Sequence, residues 1–318
     1  MVYGGGQELK YYFIVNPGAK TGNGSGLWEE LEKMLRASSG TEYEVFFTNK
    51  DESAAGTAAS ICRQHPETKR IVIVGGDGTI NEVINGLSDY GRIFLGIIPA
   101  GSGNDLVRGL GIPSECRKAF SHVLHPREFR SVDHGLLEYL DDDTPSRKFA
   151  VSSGIGYDAE ICYQALRSPL KKLLNKLRLK ISVYFLIGLK LIFTNRRAGV
   201  VLTVDGRNRL KYDKVIFIAA MNTLYEGGGY PMAPGADPGD GRLSLCVVEG
   251  ISRLKHCFLM TKIGKGEHVK SRGVHIIHCR NAEIEADRPL VMHTDGEFAG
   301  KHSHVRFSCL PEKIRMML

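Results

Sequence analysis

IVIVGGDGTINEVINGL, residues 71–87, decides the reading of the fold. Four β-branched residues suited to burial run straight into Gly75-Gly76-Asp77-Gly78-Thr79, and from there into a helical pattern. A packed core has no use for three glycines and a carboxylate at the end of a buried strand. A ligand that must touch bare backbone does. Glycines let the chain approach such a ligand closely, and successive N–H groups can form a concave anion site. The helix beginning near Asn81 adds its positive end. Asp77 is awkward beside phosphate alone, but makes sense if Mg²⁺ sits between carboxylate and phosphate oxygens. Taken by itself, the stretch also reads as a tight strand-to-helix turn with Asp77 as a cap.

The neighbouring segments repeat the design. YYFIVNP, YEVFFT, RIVIV and IFLGIIPAG read as strands, separated by helical patterns such as GLWEELEKMLRASSG, where Leu27, Leu31, Met34 and Leu35 recur at helical spacing. Continuously apolar strands joined by helices predict a parallel sheet covered on both faces. Ligands of such sheets sit beyond the carboxyl ends of the strands. There the sequence places NPGAKTGNGSG, TNKDES, GGDGT and PAGSGND. In the last, Gly101 and Gly103 permit close approach, Ser102 offers a hydroxyl, and Asn104-Asp105 open the next helix. Neither a Walker A loop nor a Rossmann fingerprint occurs.

After SVDHG the texture changes to alternating and β-branched runs with turn residues between, including a hairpin at Asp205-Gly206. The prediction is an α/β nucleotide-binding domain over residues 1–132, then a β-rich antiparallel sandwich over 133–304. The last strand, HSHVRFSCLP, is expected to return to the first domain, which 305–318 would complete. A long helical segment is expected over 167–193 and another over 253–264. HTDGEFAG puts Asp295 and Glu297 two residues apart around Gly296, on a turn where they can bracket one point.

The motifs GGDGTINEVINGL and IIPAGSGNDLVRGLGIP, with an upstream NP and a late DGE, resemble the catalytic domain of the diacylglycerol kinase superfamily. The likeness is nearest to soluble bacterial lipid kinases related to sphingosine kinases, and runs from Ile14 to the C-terminal strand. It implies ATP as cofactor, held between the two domains. By motif match, Asn16 and Thr48 would lie near the nucleotide, Gly75, Gly76, Asp77, Gly78, Thr79 and Asn81 would hold its phosphates, and Ser102, with Gly103 and Asn104, would contact it. The resemblance also makes Glu297 the proton acceptor from the attacking hydroxyl, with Asp295 orienting it or holding metal. It maps a structural Mg²⁺ onto Asp240 in YPMAPGADPGDGRLSL, with Asp237 and the Arg242 carbonyl as neighbours and Asp133 as a relay. From spacing alone that acidic loop is a solvated turn.

The bulk numbers agree with a soluble enzyme of anionic ligands: 318 residues, 42% hydrophobic, 24% charged, net charge +7. No nucleic-acid-binding module is recognisable. The seven cysteines contain no Cys-x-x-Cys pair and read as free thiols of a reducing cytosol. The paired histidines, His302/His304 among them, read as surface residues, and His293 has no assigned role. RSPLKKLLNKLRLK, residues 167–180, interleaves six basic residues with leucines, a pattern that can lie on an anionic membrane. The expectation is a cytoplasmic protein visiting the inner face of the membrane, with diacylglycerol as first choice of substrate. Phosphatidylglycerol, a sphingoid base or NAD as acceptor, a non-catalytic regulator, and a homodimer are left open.

Overall fold

A computed structural model describes residues 9–22, 24–37, 41–168 and 183–318. They form two compact units, one ending at Val132 and regaining the chain from Glu312 to Leu318, the other spanning Asp133–Pro311.

In the first unit the strands β1 (Tyr11–Val15), β2 (Tyr43–Phe47), β3 (Lys69–Gly75) and β4 (Ile93–Pro99) pair in parallel in the order β2-β1-β3-β4. The inner strands are apolar over most of their length because both of their faces are covered; all five residues of β1 are buried, and β3 is apolar from Ile71 on. Helices α1 (Ala19–Gly22), α2 (Gly24–Ala37), α3 (Ala54–Gln64), α4 (Asp77–Gly86), α5 (Asp105–Leu110) and α6 (Cys116–Leu124) connect them. On α2 the buried stripe is Leu27, Trp28, Leu31 and Leu35, while Met34 turns outward at 37% exposure. Trp28 packs on Phe13 with ring centroids 4.9 Å apart. Burying Phe13 completely stabilises the unit by about 1.5–3 kcal/mol. Ser53 starts α3 by accepting the Gly56 N–H at 3.1 Å.

The return to this sheet differs from the expectation. HSHVRFSCLP stays in the second unit, and Ile314–Met317 instead lies between β4 and β5 (Phe129–Val132), parallel to the former and antiparallel to the latter. The reason is visible in the burial: residues 314, 316 and 317 supply the apolar groups that an edge beside β4 requires.

The second unit is a nine-stranded sheet paired antiparallel throughout. Its strands are β6 (Gly135–Tyr139), β7 (Arg147–Phe149), β8 (Ser152–Gly156), β9 (Ala198–Val204), β10 (Asn208–Met221), β11 (Leu243–Glu249), β12 (Val274–Cys279), β13 (Asn281–Thr294) and β14 (Glu297–Cys309), with Ile314–Met317 then being β15. The long strands β10 and β13 each pair with β8 over one half and β9 over the other, through bulges, so the sheet curls over its own core. That core holds Ile218, Ala220, Leu245, Met292 and Phe307. Helices α7 (Tyr157–Arg167), α8 (Val183–Thr194) and α9 (Arg253–Ile263) cover the other face through Phe217, Ala219, Met221, Ile187 and Leu259. β10 is therefore buried on both faces over its second half, which is why VIFIAAM shows no alternation. α7 was not anticipated and ends at Arg167; of the helix expected over 167–193, the part from Val183 on is observed as α8. Residues 169–182 lie outside the described residues.

His302 is not a surface histidine: it is 6% exposed, stacks on Tyr139 at 4.2 Å, and contacts Asp141 at 2.9 Å. Asp141 also accepts the Ser303 N–H at 2.7 Å and the His304 N–H at 3.3 Å, tying the end of β6 to β14. Desolvation raises its pKa, but these hydrogen bonds outweigh it and bring the carboxyl down to about 2 from 3.8. A depressed carboxylate stabilises above its unfolded pKa and loses that contribution as pH falls through the folded value. Asp141→Asn should therefore lose about 1 kcal/mol at neutral pH, reduced by the exposure of the site. It should also flatten the stability profile between about pH 4 and pH 2, as urea unfolding monitored over that range would register.

Candidate active site

The strand ends of the first unit are level. Val15 pairs with Phe47 and Val74, Val74 with Ile98, and the ladder runs one residue further through Asn16 N–H to Val74, Thr48 N–H to Val15, and Ala100 N–H to Gly75. Asn16, Thr48, Gly75 and the loop after Pro99 are thus gathered on one rim, as the sequence predicts for a ligand site. The two glycine loops close on each other. A β-carbon on Gly76 would stand 2.8 Å from the Cα of Gly101, and one on Gly101 would stand 2.6 Å from the Cα of Gly76. Only two bare Cα atoms fit there.

Side chains fix the loops from behind. Asn16 Nδ2 donates to Thr79 Oγ1 at 2.8 Å and its Oδ1 accepts the Gly18 N–H at 2.9 Å, so it joins the first loop to α4. Asn104, in a left-handed conformation at φ 53°, accepts from Gly101 N–H and donates to Gly101 C=O, stapling the PAGSGND loop. Ser102 is exposed on that loop, whereas Asn81 is only 2% exposed and accepts from Asn85 within α4, so it stands behind the rim. Asp77 opens α4, and its Oδ1 receives the Leu106 N–H at 3.4 Å. Its Oδ2 and the Oδ2 of Asp105 lie 2.8 and 3.8 Å from the point a β-carbon on Gly103 would occupy. Asp105 is itself paired with Arg108 at 2.7 Å. The rim combines glycine backbone without side chains, a helix start and two carboxylates. That donor set fits a polyphosphate with a divalent cation on its oxygens.

The second unit carries the other carboxylates. Asp295 at φ 49° and Gly296 at φ 81° form the two-residue turn between β13 and β14, both with the positive φ that a type I′ hairpin requires. Asp295 does not point away. Its carboxylate accepts N–H groups from Ala150, Val151 and Ser152 at 2.8–2.9 Å, and its own N–H donates to the Ser152 carbonyl. Glu297, the first residue of β14, is exposed. Of the two carboxylates, one holds the turn and the other is presented to solvent.

In the acidic loop Asp237 accepts the Gly239 N–H and Asp240 the Arg242 N–H, both at 2.9 Å, and both side chains are exposed. Asp133, fully buried, clamps this loop: it accepts the Gly241 N–H at 2.7 Å and donates its N–H to the Pro238 carbonyl at 2.6 Å. Asp133, Asp237, Asp240 and Arg242 are therefore brought together. Among the described residues, the sets of three His, Cys, Asp or Glu close enough to share one cation are Asp141-Asp142-His302, Asp158-Glu226-His293 and Glu283-Glu285-His304; none includes Asp240.

The second of those sets was missed by sequence reasoning. Asp158 opens α7 directly after β8, as Asp77 opens α4 after β3, and this parallel in VSSGIGYDAE was the available signal. Glu226 sits in an isolated bridge with Tyr230 and carries no such signal. Cys162, one turn beyond Asp158, is a half-buried thiol pushed up to about 11 by desolvation, which keeps it protonated at neutral pH.

A phosphate-type rim on a parallel sheet, followed by an antiparallel domain with a carboxylate turn, defines a class of phosphoryl-transfer enzymes. Comparison gives the family. Residues 10–137 match the diacylglycerol kinase catalytic domain, and residues 151–318 the YegS C-terminal NAD kinase beta sandwich-like domain. YtlR of Bacillus subtilis, named provisionally as a lipid kinase, is 30% identical over 96% of this chain and 98% of its own. A diacylglycerol kinase of the same organism is 28% identical over 86% of this chain and 85% of its own. Among solved structures, a Bacillus anthracis protein named provisionally as a diacylglycerol kinase superposes with a TM-score of 0.75 at 22% identity, covering 100% of this chain and 97% of that one. The chain belongs to the diacylglycerol kinase catalytic domain family, in the form that continues into a YegS-type C-terminal domain, and it is a kinase.

The glycine contact is open to a direct test. Gly101→Ala drives a β-carbon into the Gly76 backbone, which cannot rotate away. Thermal or urea unfolding should show a loss of about 1–3 kcal/mol, and calorimetric titration with an ATP analogue should show binding abolished. Unchanged affinity would place the nucleotide elsewhere.

Proposed function

We propose that the protein is an ATP- and Mg²⁺-dependent lipid kinase that transfers the γ-phosphate to a lipid hydroxyl, with diacylglycerol as substrate and phosphatidic acid as product. The observation that carries this reading is the Gly76–Gly101 contact with Asp77 and Asp105 gathered beside it. It brings glycine backbone free of side chains to where phosphates would lie, with Asp77 as the carboxylate for the cation. Asp77 would hold Mg²⁺, which when bound neutralises charge on the phosphate oxygens. The substrate oxygen forms its bond to the γ-phosphorus as the bond to the bridging oxygen of ADP breaks, and the hydroxyl proton passes to the Glu297 carboxylate. The exposure of Glu297 on a turn whose backbone is fixed suits that role. A second, structural Mg²⁺ is assigned to Asp240 with backbone carbonyls of its loop.

A lipid acceptor is supported by the surface of the second unit. No helix among the described residues is long and apolar enough to cross a membrane. Yet α8 exposes Tyr184, Phe185, Leu189 and Phe193, and α9 exposes Leu254 and Phe258 at 70% and 71%. Arg253, Lys255 and Lys262 are exposed on α9 and Lys190 on α8. Aromatic and leucine side chains with flanking cations favour an anionic bilayer interface. Of the basic segment 167–180, only Arg167 and Ser168 fall within the described residues.

Purified protein given labelled ATP, Mg²⁺ and mixed micelles of diacylglycerol, phosphatidylglycerol and a sphingoid base, with NAD in a parallel reaction, should label diacylglycerol. Label in NAD alone would overturn the lipid reading, and nucleotide binding without transfer to any acceptor would favour a non-catalytic regulator. Asp77→Ala and Glu297→Gln should each lower turnover about 100- to 10,000-fold while leaving the circular dichroism spectrum and melting temperature near wild type. Full activity in Glu297→Gln would remove the base assignment.

A further inference from the structure

His293, on β13 one turn before Glu297, is completely buried. Its Nδ1 accepts the Gly296 N–H at 3.2 Å. An acceptor nitrogen carries no proton, so the ring proton is on Nε2. That nitrogen lies 3.0 Å from Glu226 Oε1 and 3.4 Å from Asp158 Oδ2, on side chains only 11% and 10% exposed. One N–H thus faces two carboxyl groups. Burial pushes the Asp158 carboxyl up. Asp158 Oδ1 is occupied by the Ala159 N–H at 2.8 Å, while Glu226 Oε2 is buried with no hydrogen-bond partner.

The three residues also match the spacing of a cation site, but the Gly296 contact argues against one. A metal on Nε2 would need the lone pair there and would move the ring proton to Nδ1, where the Gly296 N–H already points. The backbone is fitted to the cluster as well: Gly154 pairs with His293 across the sheet, and a β-carbon on Gly154 would collide with both Asp158 Oδ2 and His293 Nε2.

We propose that His293 is a positioning residue for the Glu297 turn, pinned in one tautomer by the buried Glu226–Asp158 pair so that its Nδ1 can hold the Gly296 N–H. With the Asp295 N–H bound to Ser152 and the Asp295 carboxylate bound to Ala150, Val151 and Ser152, this contact completes the anchoring of the turn from which Glu297 projects. The inference rests on the reading of Glu297 as proton acceptor.

The test exploits the two ring nitrogens. Asparagine places its amide oxygen near the Nδ1 position, whereas the longer glutamine reaches toward Nε2 and leaves Gly296 without an acceptor. His293→Gln should lower kcat about 10- to 100-fold, the cost of a misplaced catalytic group, with KM for ATP within about twofold of wild type. His293→Asn should recover most of that loss. Equal kcat in wild type and His293→Gln, or an equal loss in the Asn and Gln variants, would overturn the proposal. A second arm needs no turnover: long-range proton–nitrogen correlation spectra of histidine-labelled wild-type protein should show His293 with a protonated Nε2 and a bare Nδ1. Protonation at Nδ1 would overturn it even if the variants failed to fold. If the wild type phosphorylates no acceptor, the lipid-kinase reading fails, while the spectrum still decides whether His293 holds the turn.

Discussion

The glycine rim of the first unit depends on one steric fact: the Cα atoms of Gly76 and Gly101 occupy positions where any β-carbon would come within 2.6–2.8 Å of the facing backbone. Two loops from adjacent parallel strands can then meet without side chains between them. Their backbones consequently meet in one place, and Asp77 and Asp105 come to flank Gly103. The polar side chains around the rim mainly build it. Asn16 bridges to Thr79 and Asn104 staples Gly101, so these two side chains shape the backbone of the rim.

In the second unit the controlling constraint is the type I′ turn at Asp295-Gly296. Positive φ at both residues reverses the chain in two residues, and carboxylates only two positions apart acquire opposite surroundings. Asp295 folds back onto three consecutive N–H groups, while Glu297 starts the next strand facing solvent. Three of the acceptor positions of Asp295 are thus taken by backbone of its own unit, whereas Glu297 stands in solvent.

The first unit was readable from the sequence because its signals are local. A continuously apolar strand, a glycine loop and a helix follow one another within 17 residues, and the parallel pairing follows from their alternation. The hairpins at Asp205-Gly206 and Asp295-Gly296 were equally local. What escaped depended on long-range pairing. The final strand that completes the first sheet is Ile314–Met317, four residues whose destination is set by an edge more than two hundred positions earlier. The burial of His302 and His293 comes from neighbours on other strands, which no spacing along the chain reveals. Glu226 is the extreme case, since a lone glutamate in a turn-rich loop looks solvated and is instead 9% exposed against a histidine 67 positions away.

Buried ionisable groups are an expensive way to stabilise a sheet, because apolar residues of similar volume commonly do as well or better. β13 is apolar at Leu290, Val291 and Met292, then buries His293 and Thr294 immediately before the turn. The change in chemistry falls where the strand stops serving the core and leads into the turn that presents Glu297. Directionality explains the difference. An apolar side chain at 293 could fill the space but could not accept the Gly296 N–H, whereas an imidazole held from its far nitrogen can do so in only one orientation. Asp158, Glu226 and Gly154 then have a common purpose, since each constrains the ring that constrains the turn.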